Sequence, residues 1–186
     1  MLAPAALLVA ALGACSNLYA GSSPASRGDV QIRDVDIVQA SYQATERLVG
    51  SARQVLDKDK PILVASLVNT ANLQQSSDLG RIVSEQVSSR LTQLGYDTRE
   101  MRLRGAFLIR EGTGELVLSR TVKDISQKQN AQAVIAGVYA VAKTNVYLTL
   151  RLVRADDGMI LAAYDYTLPL GPDASALLGP FETTDY

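Results

Sequence analysis

Seven residues, Ile62-Leu63-Val64-Ala65-Ser66-Leu67-Val68, constrain this chain more than any others. A run this apolar and of strand length, opened by Pro61, reads as a strand covered on both faces, because a strand with one wet face alternates instead. Such a strand needs layers of structure above and below it. The chain is therefore expected to fold as an α/β (α+β) protein, a single compact domain with this strand as its most buried element.

Helical spacing supplies the cover. From Val38 to Leu56, apolar Ala44, Leu48, Ala52, Val55 and Leu56 recur with Gln43, Glu46, Arg47 and Arg53 between them, which predicts an amphipathic helix. Leu79, Ile82, Val83, Val87, Leu91 and Leu94 keep the same rhythm, while Arg81, Glu85, Ser88 and Gln93 fall on the other side. Ser77 can cap this second helix, Asp78 suits the positive end of its dipole, and Gly95 suits a left-handed C-terminal cap. With the polar connection Asn69 to Ser77 and a further strand from Tyr96 to Leu103, the order is that of a parallel βαβ unit.

Farther along, Ala106 to Ile109 and Glu115 to Leu118 flank Glu111-Gly112-Thr113-Gly114 as the arms of a hairpin would. Thr121 and Asp124 have capping-box spacing and open a short helix running to Asn130. Ala133 to Val141, Val146 to Val153 and Met159 to Leu168, parted by polar turns, read as a C-terminal antiparallel meander. In its middle strand Val146, Leu148, Leu150 and Leu152 alternate with Tyr147, Thr149 and Arg151, so one side faces the core and the other faces water. Residues 169–186, with their Gly, Pro and acidic residues, are expected to be an irregular tail.

The N-terminus poses a separate problem. Met1 to Cys15 is uncharged and apolar, but Ala5 to Leu12 is far shorter than the roughly 20 residues needed to span a bilayer. With small Gly13 and Ala14 where a peptidase cuts, residues 1–14 are expected to be a cleaved signal peptide. Leu12-Gly13-Ala14-Cys15 resembles the lipobox of bacterial lipoproteins, which makes Cys15 the expected lipidation site and first mature residue. No Lys or Arg precedes the apolar run, a departure from the signal pattern. Several acyl chains hold firmly, because each buried methylene contributes about 0.8 kcal/mol. Residues 15–28 then form the lipidated cysteine and a flexible tether centred on Gly21-Ser22-Ser23-Pro24, about 45 Å long when extended. Ser16 after the cysteine, in place of Asp, points by enteric-type sorting rules to the outer membrane. The folded domain is expected over 29–168.

The chain has no histidine, which removes the commonest general base, the Ser/His/Asp triad and the usual metal ligand together. Its single cysteine cannot form an intramolecular disulfide, and acylation ends its thiol chemistry. No paired carboxylates stand in a setting that resembles a site. No catalytic residue, metal or cofactor is expected. A net charge of −1 with scattered Lys and Arg argues against nucleic acid as a partner. No apolar segment after Cys15 is long enough to cross a bilayer as a helix, leaving the lipid as the expected membrane attachment.

Gly112-x-Gly114 lacks the third glycine and the Lys-Ser/Thr pair of a phosphate loop, and Asp156-Asp157-Gly158 lacks a calcium loop's length and closing Glu. Both read as turns. Ser76 to Arg81 could hold an anion at a helix N-terminus, but Ser and Asp are favoured there as caps without any ligand. Gly137, inside a strand, marks a bulge or a close backbone approach. For partner contact the expected residues are Asn72, Asp78, Arg81 and Glu85, on a polar loop beside a rigid helix, with a merely solvated surface as the alternative.

Several segments together resemble the FlgO family of bacterial outer-membrane lipoproteins. They are Ser41-Tyr42-Gln43-Ala44, Pro61 to Val68, Leu79-Gly80-Arg81, Leu94-Gly95-Tyr96, Gly114-Glu115-Leu116-Val117-Leu118-Ser119-Arg120 and Ala136-Gly137-Val138-Tyr139, within about residues 40–168. The resemblance implies a compact α/β domain similar to TolB N-terminal regions and CsgG-like lipoproteins. It also implies a non-catalytic role at the outer membrane around the flagellum, with the domain facing the periplasm of a Gram-negative cell. Self-association or other envelope and flagellar proteins are the partners it suggests. The alternative is a regulatory binding module for a cell-wall synthase or another periplasmic partner, against which the short tether counts.

Overall fold

The computed structural model describes residues 32–101, 107–109 and 116–179. The expected signal, Cys15, the tether and the Glu111 to Gly114 turn lie outside these. In chain order the elements are α1 (Ile37–Ser51), β1 (Ile62–Ala65), β2 (Val68–Asn69), α2 (Asp78–Gln93), β3 (Thr98–Met101), β4 (Phe107–Ile109), β5 (Leu116–Leu118), α3 (Arg120–Lys128), β6 (Ala133–Val141), β7 (Asn145–Arg154), β8 (Ile160–Pro169) and α4 (Pro172–Leu178).

The main sheet has six strands in the order β3-β1-β6-β7-β8, with β2 continuing alongside β6. β1 runs parallel to both β3 and β6, and β6, β7 and β8 form the expected antiparallel meander. β4 and β5 pair antiparallel, Phe107 opposite Leu118, as the arms of the expected hairpin.

The apolar run is central because its alternate residues feed two cores. Ile62 and Val64 join Ala44, Leu48, Leu79, Val83, Val87 and Leu91 of α1 and α2 on one face of the sheet. Leu63 and Ala65 join Val122 of α3, Val134 and Ala136 on the other. The run is not one strand, however. It breaks at Ser66-Leu67, where the main-chain N–H of Leu67 leaves the sheet and donates to Ser84 Oγ at 2.9 Å. Ser84 itself donates to the Gly80 carbonyl at 2.8 Å, so a buried side chain of α2 stands in for a strand partner.

α2 begins and ends where its caps predict. Ser77 Oγ accepts from the Gly80 amide, and past the C-cap Leu94 the amides of Gly95 and Tyr96 bond back to the carbonyls of Thr92 and Leu91. Gly95 has φ +83°, the left-handed conformation that this ending requires. α1 stops at Ser51, short of the expected Leu56, and Ala52 to Val55 continue only as turns. The β-strand expected over Tyr96 to Leu103 begins only at Thr98, because Tyr96 is spent in the helix ending, and Arg102 and Leu103 lie outside the described residues. α3 is capped by Ser119, whose side chain accepts from the Val122 amide, two residues ahead of the Thr121 and Asp124 box expected from spacing.

The segment after Pro169 was expected to be irregular, and here the structure differs. Pro172–Leu178 is helical, with proline in its first turn. Its cap comes from the other end of the domain. The Asp34 carboxylate accepts from the amides of Asp173 at 2.7 Å and Ala174 at 3.0 Å, favourably placed at the positive end of the helix. Gly171 permits this, since a Cβ there would lie 2.5 Å from the Asp34 nitrogen.

Candidate functional site

The loop between β2 and α2 is a built structure. Asn69 Oδ1 accepts from the Ala71 amide at 2.9 Å and Asn72 Oδ1 from the Gln74 amide at 3.0 Å, each side chain closing a local turn. Tyr139 of β6 fastens the loop at both ends. Its carbonyl accepts from the Thr70 amide at 2.9 Å and its hydroxyl from the Ser77 amide at 3.0 Å. Gly80 lets α2 seat directly on this floor, because a Cβ there would meet the Leu67 carbonyl oxygen at 2.6 Å.

On that scaffold the four residues expected from sequence are all exposed. Asp78 and Arg81 form an ion pair across the first turn of α2 and so satisfy each other. Asn72 spends its carbonyl oxygen on its own loop, and Glu85 stands a turn beyond Arg81 without an ion pair among the described residues. The structure brings together Asp78 and Arg81 and leaves Asn72 and Glu85 apart. Of the residues that hold this corner in place, Tyr139 entered the sequence reading only as the end of the Ala136-Gly137-Val138-Tyr139 segment and Ser84 not at all, since a strand tyrosine and a helix serine are unremarkable by type.

At the opposite end of the sheet lies an open cleft of about 500 Å³ lined by Asp57, Lys60, Asn130, Gln132, Arg154 and Asp156, among others. Gln132 organises it. Its side chain accepts from the Asp57 amide at 2.8 Å and donates to the carbonyls of Lys60, at 2.7 Å, and Asp57. The neighbouring Asp156-Asp157-Gly158 is the expected hairpin turn, with Gly158 at φ +80°. The Met159 amide, assisted by Arg154, holds the Asp157 carboxyl below its ordinary range.

A third concavity, about 310 Å³, runs between α1 and the last strand of the sheet, β8, and is lined by Asp36, Gln39, Ala40, Gln43, Tyr164 and Tyr166 together with flanking residues. Tyr164 and Tyr166 stack with ring centroids 6.3 Å apart. Burial pushes the Tyr166 phenol up to about 12, with the Ser41 hydroxyl pulling the other way. Neither hydroxyl finds a hydrogen-bond partner of ordinary geometry among the described residues. Among those residues no group of His, Cys, Asp or Glu converges as a metal site, and no helix is long and apolar enough to cross a membrane.

The family described as FlgO protein matches residues 42–173, from within α1 to the start of α4. The chain belongs to the FlgO family. Comparison with curated proteins gives no match. Among solved structures, the LpoB C-terminal domain from Escherichia coli is similar at 13% identity and a TM-score of 0.46, over 74% of this chain and 99% of that one. The PelC dodecamer from Paraburkholderia phytofirmans gives 16% and 0.44, over 62% and 74%. Lipoprotein GNA1162 from Neisseria meningitidis gives 16% and 0.41, over 61% and 82%. All three scores lie below 0.5, so these likenesses bring no partner to the FlgO-family chain.

Proposed function

We propose that this FlgO-family protein is a lipid-anchored protein of the Gram-negative envelope with a non-catalytic assembly role, held to the outer membrane through Cys15 and working beside the flagellum. The single observation that carries the reading is the family match over residues 42–173. The lipobox-like Leu12-Gly13-Ala14-Cys15 and the small polar segment behind it support the anchor. Asn72, Asp78, Arg81 and Glu85 are the proposed contact residues, set on a loop and helix turn that are held rigidly from beneath.

The test is a strain lacking the gene, complemented with the wild-type chain and imaged for swimming and flagella. Short, missing or detached flagella restored by the wild-type chain are expected, and normal swimming would overturn the flagellar part. Cell fractionation of Cys15→Ser tests the anchor, which predicts release from the outer-membrane fraction. Capture of a cell-wall synthase as the main partner would favour a regulatory binding module instead.

A further inference from the structure

β8 ends the main sheet, and the structure assigns its free edge and the α1 groove beside it to a second copy of this chain, paired antiparallel about a two-fold axis at Tyr164. The Leu170 amide donates to the Thr144 carbonyl at 2.8 Å. Because antiparallel pairs alternate between bonded and unbonded, the main-chain groups of Ala163, Asp165 and Thr167 then point away from β7. Pro169, which has no N–H to offer, falls in the same outward set. No main-chain hydrogen bond from elsewhere among the described residues covers this edge. An uncovered strand of ten residues is a ready template for pairing.

Charge selects the occupant and the register. On the open face of the sheet Arg151 lies opposite Ala163, while Asp165 lies opposite Thr149 and accepts its hydroxyl at 2.6 Å. Arg151 makes no ion pair among the described residues. A two-fold axis through Tyr164 sets Ala163 of one copy against Asp165 of the other. Each Arg151 then needs only to reach over one small alanine to meet the other copy's Asp165, and the symmetry makes the contact twice. Moving the axis to Asp165 would oppose two carboxylates instead. The helices agree with the same axis. Exposed Asp36 lines the groove, and exposed Arg47 falls on the same helical stripe three turns along, past Ala40 and Gln43, so antiparallel helices place each against the opposite charge of the other copy. Tyr164 of each copy closes the middle of the groove.

This deepens the assembly reading and rests on it only in taking self-association as the activity. The test is the mass of the full-length protein in detergent micelles by analytical ultracentrifugation. A dimer is expected, with Arg151→Glu and Asp165→Arg each weakening it at least tenfold and the double reversal restoring it. In the oxidised full-length chain Tyr164→Cys should form a disulfide-linked dimer beyond any baseline from unacylated Cys15 in the wild type, and Thr167→Cys should not. A monomeric wild type, its edge left to a strand of some other protein, would overturn the inference, as would single reversals that keep the wild-type mass. Swimming and fractionation are read separately, so loss of the dimer alone leaves the anchor and flagellar reading standing.

Discussion

Gly80 and Gly50 both lie within helices, yet alanine should act on them with opposite sign. At Gly50 a methyl group meets nothing within 4 Å, so Gly50→Ala should gain about 0.5–1 kcal/mol by reducing unfolded-chain entropy. At Gly80 the new Cβ would lie 2.6 Å from the Leu67 carbonyl oxygen, and Gly80→Ala should lose about 1–3 kcal/mol as α2 is forced off its floor. Urea unfolding of the two variants beside the wild type reads both signs. Tyr166 acts through pH. Its phenol is pushed up from 10.0 to about 12, so the folded state favours the protonated form. That stability, about 3 kcal/mol in all, is fully present below pH 10 and is lost as pH rises through 12. Tyr166→Phe should therefore melt at a temperature that falls less steeply than the wild type between pH 10 and 12. At neutral pH it should cost little, because the hydroxyl it removes has no partner among the described residues.

β1 and β2 show what periodicity reports and what it misses. Apolar residues from Ile62 to Val68 announced burial on both faces, and all of them are buried. What ended β1 at Ala65 was one hydrogen bond, from the Leu67 amide to a serine 17 positions away, and no pattern within the run itself encodes it. Ser84→Ala should orphan that buried amide and cost about 1–3 kcal/mol, measurable by chemical denaturation. α2 was legible in full because its caps and its stripe are both local. α4 was overlooked for the converse reason. A helix of seven residues is marginal alone, and its cap is supplied by Asp34 from the far end of the chain. The proposed contact residues were legible only as four polar residues on a loop and helix; that two of them neutralise each other depends on the turn they share.

At the scale of the described domain, the sheet carries helices α1 and α2 on one face and α3 over part of the other, and no described element covers the outer side of β7 and β8. The sequence pattern of β7 already declared this bareness, since Tyr147, Thr149 and Arg151 alternate with its buried leucines, and Tyr147 is 53% exposed. Position in the sheet order, which makes β8 an edge, depends on pairings between distant segments and could not be read from any one of them. The Asp34 clasp is equally a property of the whole. Asp34→Ala should cost about 1 kcal/mol and free α4 before the rest unfolds, seen as faster amide exchange at Asp173 and Ala174 than in the core. Those partners stand 139 and 140 residues apart. During synthesis the carboxylate emerges early and waits for its amides almost to the end of the domain, so the clasp can close only after the strands and helices between its two halves have been made.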